Sequence, residues 1–161
     1  MGWFKRKKSS ANTEELNVRK IKSKQLDYHP KIIMAWTKAI EGNLEFTTYL
    51  QKNGFEELAI AVLAVKLDEK ARNWLMTNGY PHLMAMINAS EGNEKAKTWL
   101  EVNNFQILYN IAEAVDGEHE GKKGFLWLRQ NATPDLFILA KAIKTVKDEI
   151  EERHNDVHKI G

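Results

Sequence analysis

ASEGNEKAKTWLEVNNFQIL, residues 89–108, decides how the rest of the chain is read. Its first residue, Ala89, has counterparts at Ala39, Ala64 and Ala114, each 25 positions from the next. The doublet Trp99-Leu100 recurs as Tyr49-Leu50, Trp74-Leu75 and Trp127-Leu128. Asn103 recurs as Asn53, Asn78 and Asn131. Self-similarity at this period marks a repeat architecture, in which no unit can bury a face alone and neighbours must stack.

Within one unit the local chemistry describes two helices and a turn. Asn43, Asp68 and Asn93 stand where a first helix begins and carry side chains suited to its free N–H groups. Phe46-Tyr49-Leu50, Ala71-Trp74-Leu75 and Ala96-Trp99-Leu100 follow at i, i+3, i+4, which sets one apolar stripe on one helical face. Asn53-Gly54, Asn78-Gly79 and Asn103-Asn104 tolerate the left-handed backbone that ends a helix. Phe55, Tyr80 and Phe105 then precede a second helix, which Gly42, Gly92 and Gly117 end in three units and Leu67 ends in the other.

The expected fold is all-α: a right-handed α-α superhelix, or solenoid, of about four helix–turn–helix repeats of 25–28 residues. Pro30 opens a helix through Trp36 to Ala39 that matches the second half of a unit, so the array begins on a half repeat. The fourth unit is longer, with 28 residues between Leu100 and Leu128, and Glu118 to Lys123 is expected to loop out to solvent. After Thr133-Pro134 a long helix over 135–158 carries Leu136, Leu139, Ala140, Ile143, Val146 and Ile150, a capping helix with a polar outer face. The repeat domain thus spans 28–161, and 1–27 is a basic tail, disordered or weakly helical over Glu14 to Leu26.

The run Ala39-Ile40-Glu41-Gly42-Asn43-Leu44-Glu45 with Tyr49-Leu50-Gln51-Lys52-Asn53-Gly54 resembles the second half of an ankyrin repeat, and Ala89-Ser90-Glu91-Gly92-Asn93 with Trp99-Leu100 repeats the likeness. The resemblance covers about half of each unit and implies a stacked helix–turn–helix module for protein binding. The 25-residue spacing leaves no room between Gly54 and Phe55 for that family's β-turn fingers, so no binding residue carries over. A shorter helical array in the style of tetratricopeptide or armadillo proteins fits the pattern equally.

Composition narrows the function classes. The 161 residues are 43% hydrophobic and 29% charged and include no cysteine, which excludes disulfides and thiolate metal sites. No apolar run reaches the roughly 18 to 20 residues that cross a bilayer. Charge is unevenly placed: residues 1–27 hold eight Lys/Arg against three acids, 28–146 hold 13 against 14, and 147–161 hold three against five. The start MGWFKRKKSS lacks the apolar core of a secretory signal, and Arg6 stands where a myristoylation site wants Ser or Thr. A cytoplasmic protein, at most peripheral to the inner face of the membrane, is expected.

Candidate chemistry is sparse. The column Tyr49, Trp74, Trp99 and Trp127 reads as core rather than as a stacking ladder for bases, and Trp36 as the more exposed aromatic at the array's end. His154 and His158 lie at i, i+4 with no third ligand set by spacing, and His119 has no nucleophile paired to it, so no metal, cofactor or catalytic residue is assigned. Trp3, Phe4, Lys5, Arg6, Lys7 and Lys8 suit weak contact with an anionic membrane or with phosphates. Nucleic acid fits less well, because the folded body offers no excess of cations to extend that contact. The leading expectation is a non-enzymatic scaffold that binds another protein or a peptide through its second helices. The positions whose chemistry changes from copy to copy are Lys31, Glu56, Pro81 and Gln106, with Lys38, Leu63, Asn88 and Glu113 further along the same helices, and Trp36 beside them.

Overall fold

The computed structural model describes residues 26–117 and 121–159, which form helices and turns with no strand among them. The helices are α1 (Pro30–Ile40), α2 (Leu44–Lys52), α3 (Glu56–Val65), α4 (Glu69–Thr77), α5 (Pro81–Ser90), α6 (Glu94–Val102), α7 (Gln106–Asp116), α8 (Gly121–Asn131) and α9 (Pro134–Lys159). α1, α3, α5 and α7 are the second helices of the repeat, and α2, α4, α6 and α8 the first.

The first helices α2, α4 and α6 start on the residue that the pattern singles out. The side chains of Asn43, Asp68 and Asn93 accept from the backbone N–H of Glu45, Ala71 and Ala96 at 3.0, 2.8 and 3.0 Å. Every first helix ends on an asparagine whose amide donates back four residues to the carbonyl of the doublet aromatic. These bonds are Asn53 to Tyr49 at 2.7 Å, Asn78 to Trp74 at 2.9 Å, Asn103 to Trp99 at 2.8 Å and Asn131 to Trp127 at 3.0 Å. The asparagine therefore acts through its side chain, and the residue after it (Gly54, Gly79 or Asn104) takes the positive φ.

Successive second helices pack on one another, α1 on α3, α3 on α5 and α5 on α7, and each first helix lies against the second helices on either side of it. This inner layer is the core. Seven of the ten residues of α3 and of α5 are buried, against Leu50 alone in α2 and Leu100 alone in α6. Leu50, Leu75, Leu100 and Leu128 are wholly inaccessible, each stabilising the stack by about 2 kcal/mol. The repeated alanines Ala39, Ala64, Ala89 and Ala114 are buried as well, and their small size lets the helices approach closely.

Two expectations are corrected and one, the capping helix, is extended. The Glu118–Lys123 segment does not all loop out: Gly121, Lys122 and Lys123 form the first turn of α8, while 118–120 lie outside the described residues. α9 is not confined to capping the last unit, since it packs on α7 and α8 and then reaches back to α1 at the other end of the array. Trp36 is fully buried rather than exposed, because α1 is packed by α2, α3 and α9 and is no free end. The proposed tail helix Glu14 to Leu26 lies outside the described residues except for Leu26, which is buried.

Candidate interaction surfaces

The variable positions of the second helices share one open strip. On α3 the accessible residues are Glu56, Ile60 and Leu63, on α5 Pro81, Ala85 and Asn88, and on α7 Gln106, Asn110 and Glu113 lie at the same register. Lys31 and Lys38 extend the strip onto α1, while Trp36 is excluded from it. Leu63, 46% exposed, gives the strip an apolar centre with Ile60 and Pro81. Its charged ends are partly engaged: Lys38 pairs with Glu41 at 2.9 Å, and Glu113 with Lys97 at 3.1 Å.

The doublet aromatics form a second surface, and their placement departs from the expected core. Tyr49 is 45% and Trp99 38% exposed, and Trp74 and Trp127 are half-buried. Leucine holds the centre of each first-helix stripe, which leaves the aromatic at its margin. There one face of the ring packs on the aromatic that opens the following helix. Trp74 stacks on Tyr80 with centroids 6.0 Å apart and planes 7° from parallel, and Trp99 on Phe105 at 5.4 Å and 12°. The rings thus clamp the turn in the second and third units.

His82 extends this ladder inward. Its ring stacks on Phe105 at 5.7 Å and meets Tyr80 at 6.2 Å. It is buried, and Nδ1 has no hydrogen-bond partner among the described residues. Burial holds its pKa down at about 4, so the ring is neutral at pH 7. The corresponding residue one unit earlier, Glu57, is also buried and accepts from the Tyr28 hydroxyl at 2.8 Å. Burial and that carboxylate push the Tyr28 phenol far upward.

The third surface lies where α9 crosses the C-terminal ends of the second helices. A cation on the first helix meets an acid 19 residues later in two consecutive units: Arg72 with Glu91, Nη1 to Oε2 3.1 Å, and Lys97 with Asp116 at 2.6 Å. Arg72 Nε also donates to the Ala64 carbonyl at 3.1 Å. Lys147 of α9 joins the first cluster, donating to Glu91 and, at 2.7 Å, to the Val65 carbonyl. Lys144 reaches the Val115 carbonyl at 3.4 Å. These cations face the negative ends of α3 and α7, where positive charge is favoured. Burial raises the pKa of Glu91, but the bonds from Arg72 and Lys147 outweigh it and hold the carboxyl below its usual range. Burial works against the Lys97 ammonium too, yet Asp116 and Glu113 prevail and push its pKa up. Beside this cluster Leu67, Ser90, Glu91, Val115, Lys147 and Ile150 line part of a cleft of about 250 Å³.

The twice-repeated 19-residue spacing from cation to acid is the signal that would have found Arg72, Glu91, Lys97 and Asp116 from sequence. Lys147 carries no such signal, since its partners lie in other units, and the i, i+4 spacing of Lys144 announces only Asp148, not the Val115 carbonyl. His154 and His158 are exposed near the end of α9, and no group of three or more acidic or histidine side chains suited to a metal occurs among the described residues. Trp3, Phe4, Lys5, Arg6, Lys7, Lys8 and His119 lie outside them. No described helix is long and apolar enough to cross a membrane. No family model, curated protein or solved structure matches the chain.

Proposed function

We propose that the chain is a non-enzymatic interaction module whose open strip on the second helices receives a segment of another protein. One observation carries this reading. The second helices bury almost every other face in the stack, and the strip they leave open is also where residue type changes between copies. The closest packing positions, Ala39, Ala64, Ala89 and Ala114, repeat their chemistry, whereas the buried position Glu57/His82 shows that variation also occurs inside the stack. Lys31 and Lys38 at one end and Leu63, Ile60 and Pro81 at the centre suit a segment with an acidic end followed by apolar anchors.

The experiment is site-specific photo-crosslinking in cells that express the full chain, with the crosslinker at Leu63 on the strip or at Leu44 on the first-helix side. A discrete adduct from Leu63, absent at Leu44 and lost when Lys31 and Lys38 are changed to Glu, is the expected result. Equal labelling from both positions, or none from Leu63, rejects the strip as the binding face.

A second reading is a peripheral adaptor at an anionic membrane. It is supported by the exposed apolar side chains of Leu44, Met76 and Val102 on the first helices, with Lys52, Lys70 and Lys95 also exposed there. Co-sedimentation with phosphatidylserine vesicles, with and without residues 1–10, separates the two readings. Binding that is indifferent to anionic lipid rejects the adaptor.

A further inference from the structure

The two halves of α9 are held by different means. From Pro134 to Ile143 the helix buries Leu136, Leu139, Ala140, Ala142 and Ile143. From Lys144 to Lys159 no residue is fully buried, and 151–159 are exposed throughout. Polar contacts therefore carry much of the hold on the second half: Lys144 on the Val115 carbonyl, and Lys147 on the Val65 carbonyl and Glu91.

Packing there is loose as well. The cleft of about 250 Å³ opens along one side of this half, against Leu67, Ser90 and Val115. A second gap of about 350 Å³ opens along the other, where Val146, Glu149, Ile150 and Arg153 face Ile40, Glu41 and Lys66. Open clefts on both sides leave this half in contact with solvent along much of its length, with Val146 its main apolar anchor. A segment with few buried apolar contacts opens at lower free energy than the core around it.

We propose that residues 144–159 are a strap that swings open at the Ile143–Lys144 junction, with Lys147 as its catch on Glu91 and Val65, while the repeat stack stays folded. Opening uncovers the C-terminal ends of α3, α5 and α7 together with the Glu91 carboxylate. Arg72 remains on Glu91 when the strap leaves, so the exposed carboxylate keeps one partner and the open form is not left with an isolated charge. The reading does not depend on what the strip binds.

Hydrogen–deuterium exchange of the full chain tests it, comparing wild type with Lys147→Met and Lys147→Arg. Loss of a charge-assisted hydrogen bond predicts about tenfold or greater acceleration of amides 144–150 in K147M. Residues 134–143 and α3, α5 and α7 should stay within about twofold of wild type, and α1, which α9 covers, is the one array helix expected to follow. K147R, which keeps the charge, should remain near wild type. The proposal fails if amides 144–150 are unchanged in K147M. It fails equally if α3, α5 and α7 accelerate by the same factor, since the strap would then be part of the cooperative core.

Discussion

Gly124 of α8 lies against the backbone of α7 so closely that a Cβ built on it would stand 2.4 Å from the Ala114 amide nitrogen. The Asn110 carbonyl oxygen would be only 2.6 Å away. Earlier units place Phe46, Ala71 and Ala96 at this register, so the fourth unit carries the smallest residue of the series there. Gly124→Ala therefore forces α8 off α7 and is expected to destabilise the protein by about 3 kcal/mol, read as a lower denaturant midpoint. Gly54→Ala is the control for backbone conformation: nothing lies within 4 Å of its Cβ, and its φ of +87° is the whole problem. It should cost only about 1 kcal/mol, and a cost equal to that of G124A would show that crowding is not what distinguishes the two sites.

Leu67 adopts φ +73° at a position where the other three units have glycine, two of them (Gly42 and Gly92) also at positive φ, and it is 40% exposed. A branched side chain in that conformation stores about 1 kcal/mol of strain. Leu67→Gly should raise the denaturant midpoint by up to about 1 kcal/mol equivalent, less a few tenths for the looser unfolded chain. A clear fall in the midpoint would mean that the leucine side chain stabilises the cleft by more than its backbone strain costs.

The asparagine that ends each first helix makes the same bond four times, and the effect of losing it should be similar each time. Asn53→Ala, Asn78→Ala and Asn103→Ala each remove a donor from the carbonyl of Tyr49, Trp74 or Trp99. About 1 kcal/mol is expected for each, additive in the triple variant because the sites share no partner. Marked non-additivity in denaturation would contradict the independence of the turns.

His82 sets an acid limit on stability. Its pKa in the fold, about 4, lies below the 6.5 of an ordinary imidazole. Above pH 6.5 the ring is neutral in both states and contributes no penalty. As pH falls from 6.5 toward 4 the unfolded chain takes up a proton that the fold refuses, and roughly 3 kcal/mol of stability is lost. Urea titrations at pH 7.5 and pH 4.5 should show most of this loss in wild type. His82→Phe, which keeps a flat ring in the stack, should remove the part of the slope that lies in this window. An unchanged slope would place the titration elsewhere.

Much of the fold was legible because its causes are local. Asn43, Asp68 and Asn93 cap helices through neighbours two or three residues away, and the Leu of each doublet faces the core by helical periodicity alone. Where the cause is distant, the reading failed. Trp36 is expected at an open end, yet α9, which begins at Pro134, packs on its helix. Lys147 bonds to residues 82 and 56 positions away, and nothing in its own surroundings announces either partner. The doublet aromatics failed for a subtler reason. Periodicity gives the face of a helix but not how far round it a ring lies, and Trp99 sits at the margin with one side on Phe105. Among the strip residues, the exposure of Glu56 and Leu63 followed from their variability, whereas the bond tying Glu113 to Lys97 did not.

The return of α9 to α1 bears on how many units the array can hold. Stacked repeats ordinarily lengthen by duplication, since each copy needs only its neighbours. Here a single helix is anchored at the last layers and also rests on the first. One more layer would carry α1 about 9 Å further off, close to two extra turns of helix. Duplicating a unit would therefore leave Ile150 short of Ile40, and the exposed, charged residues 151–159 would have to serve against α1 in its place.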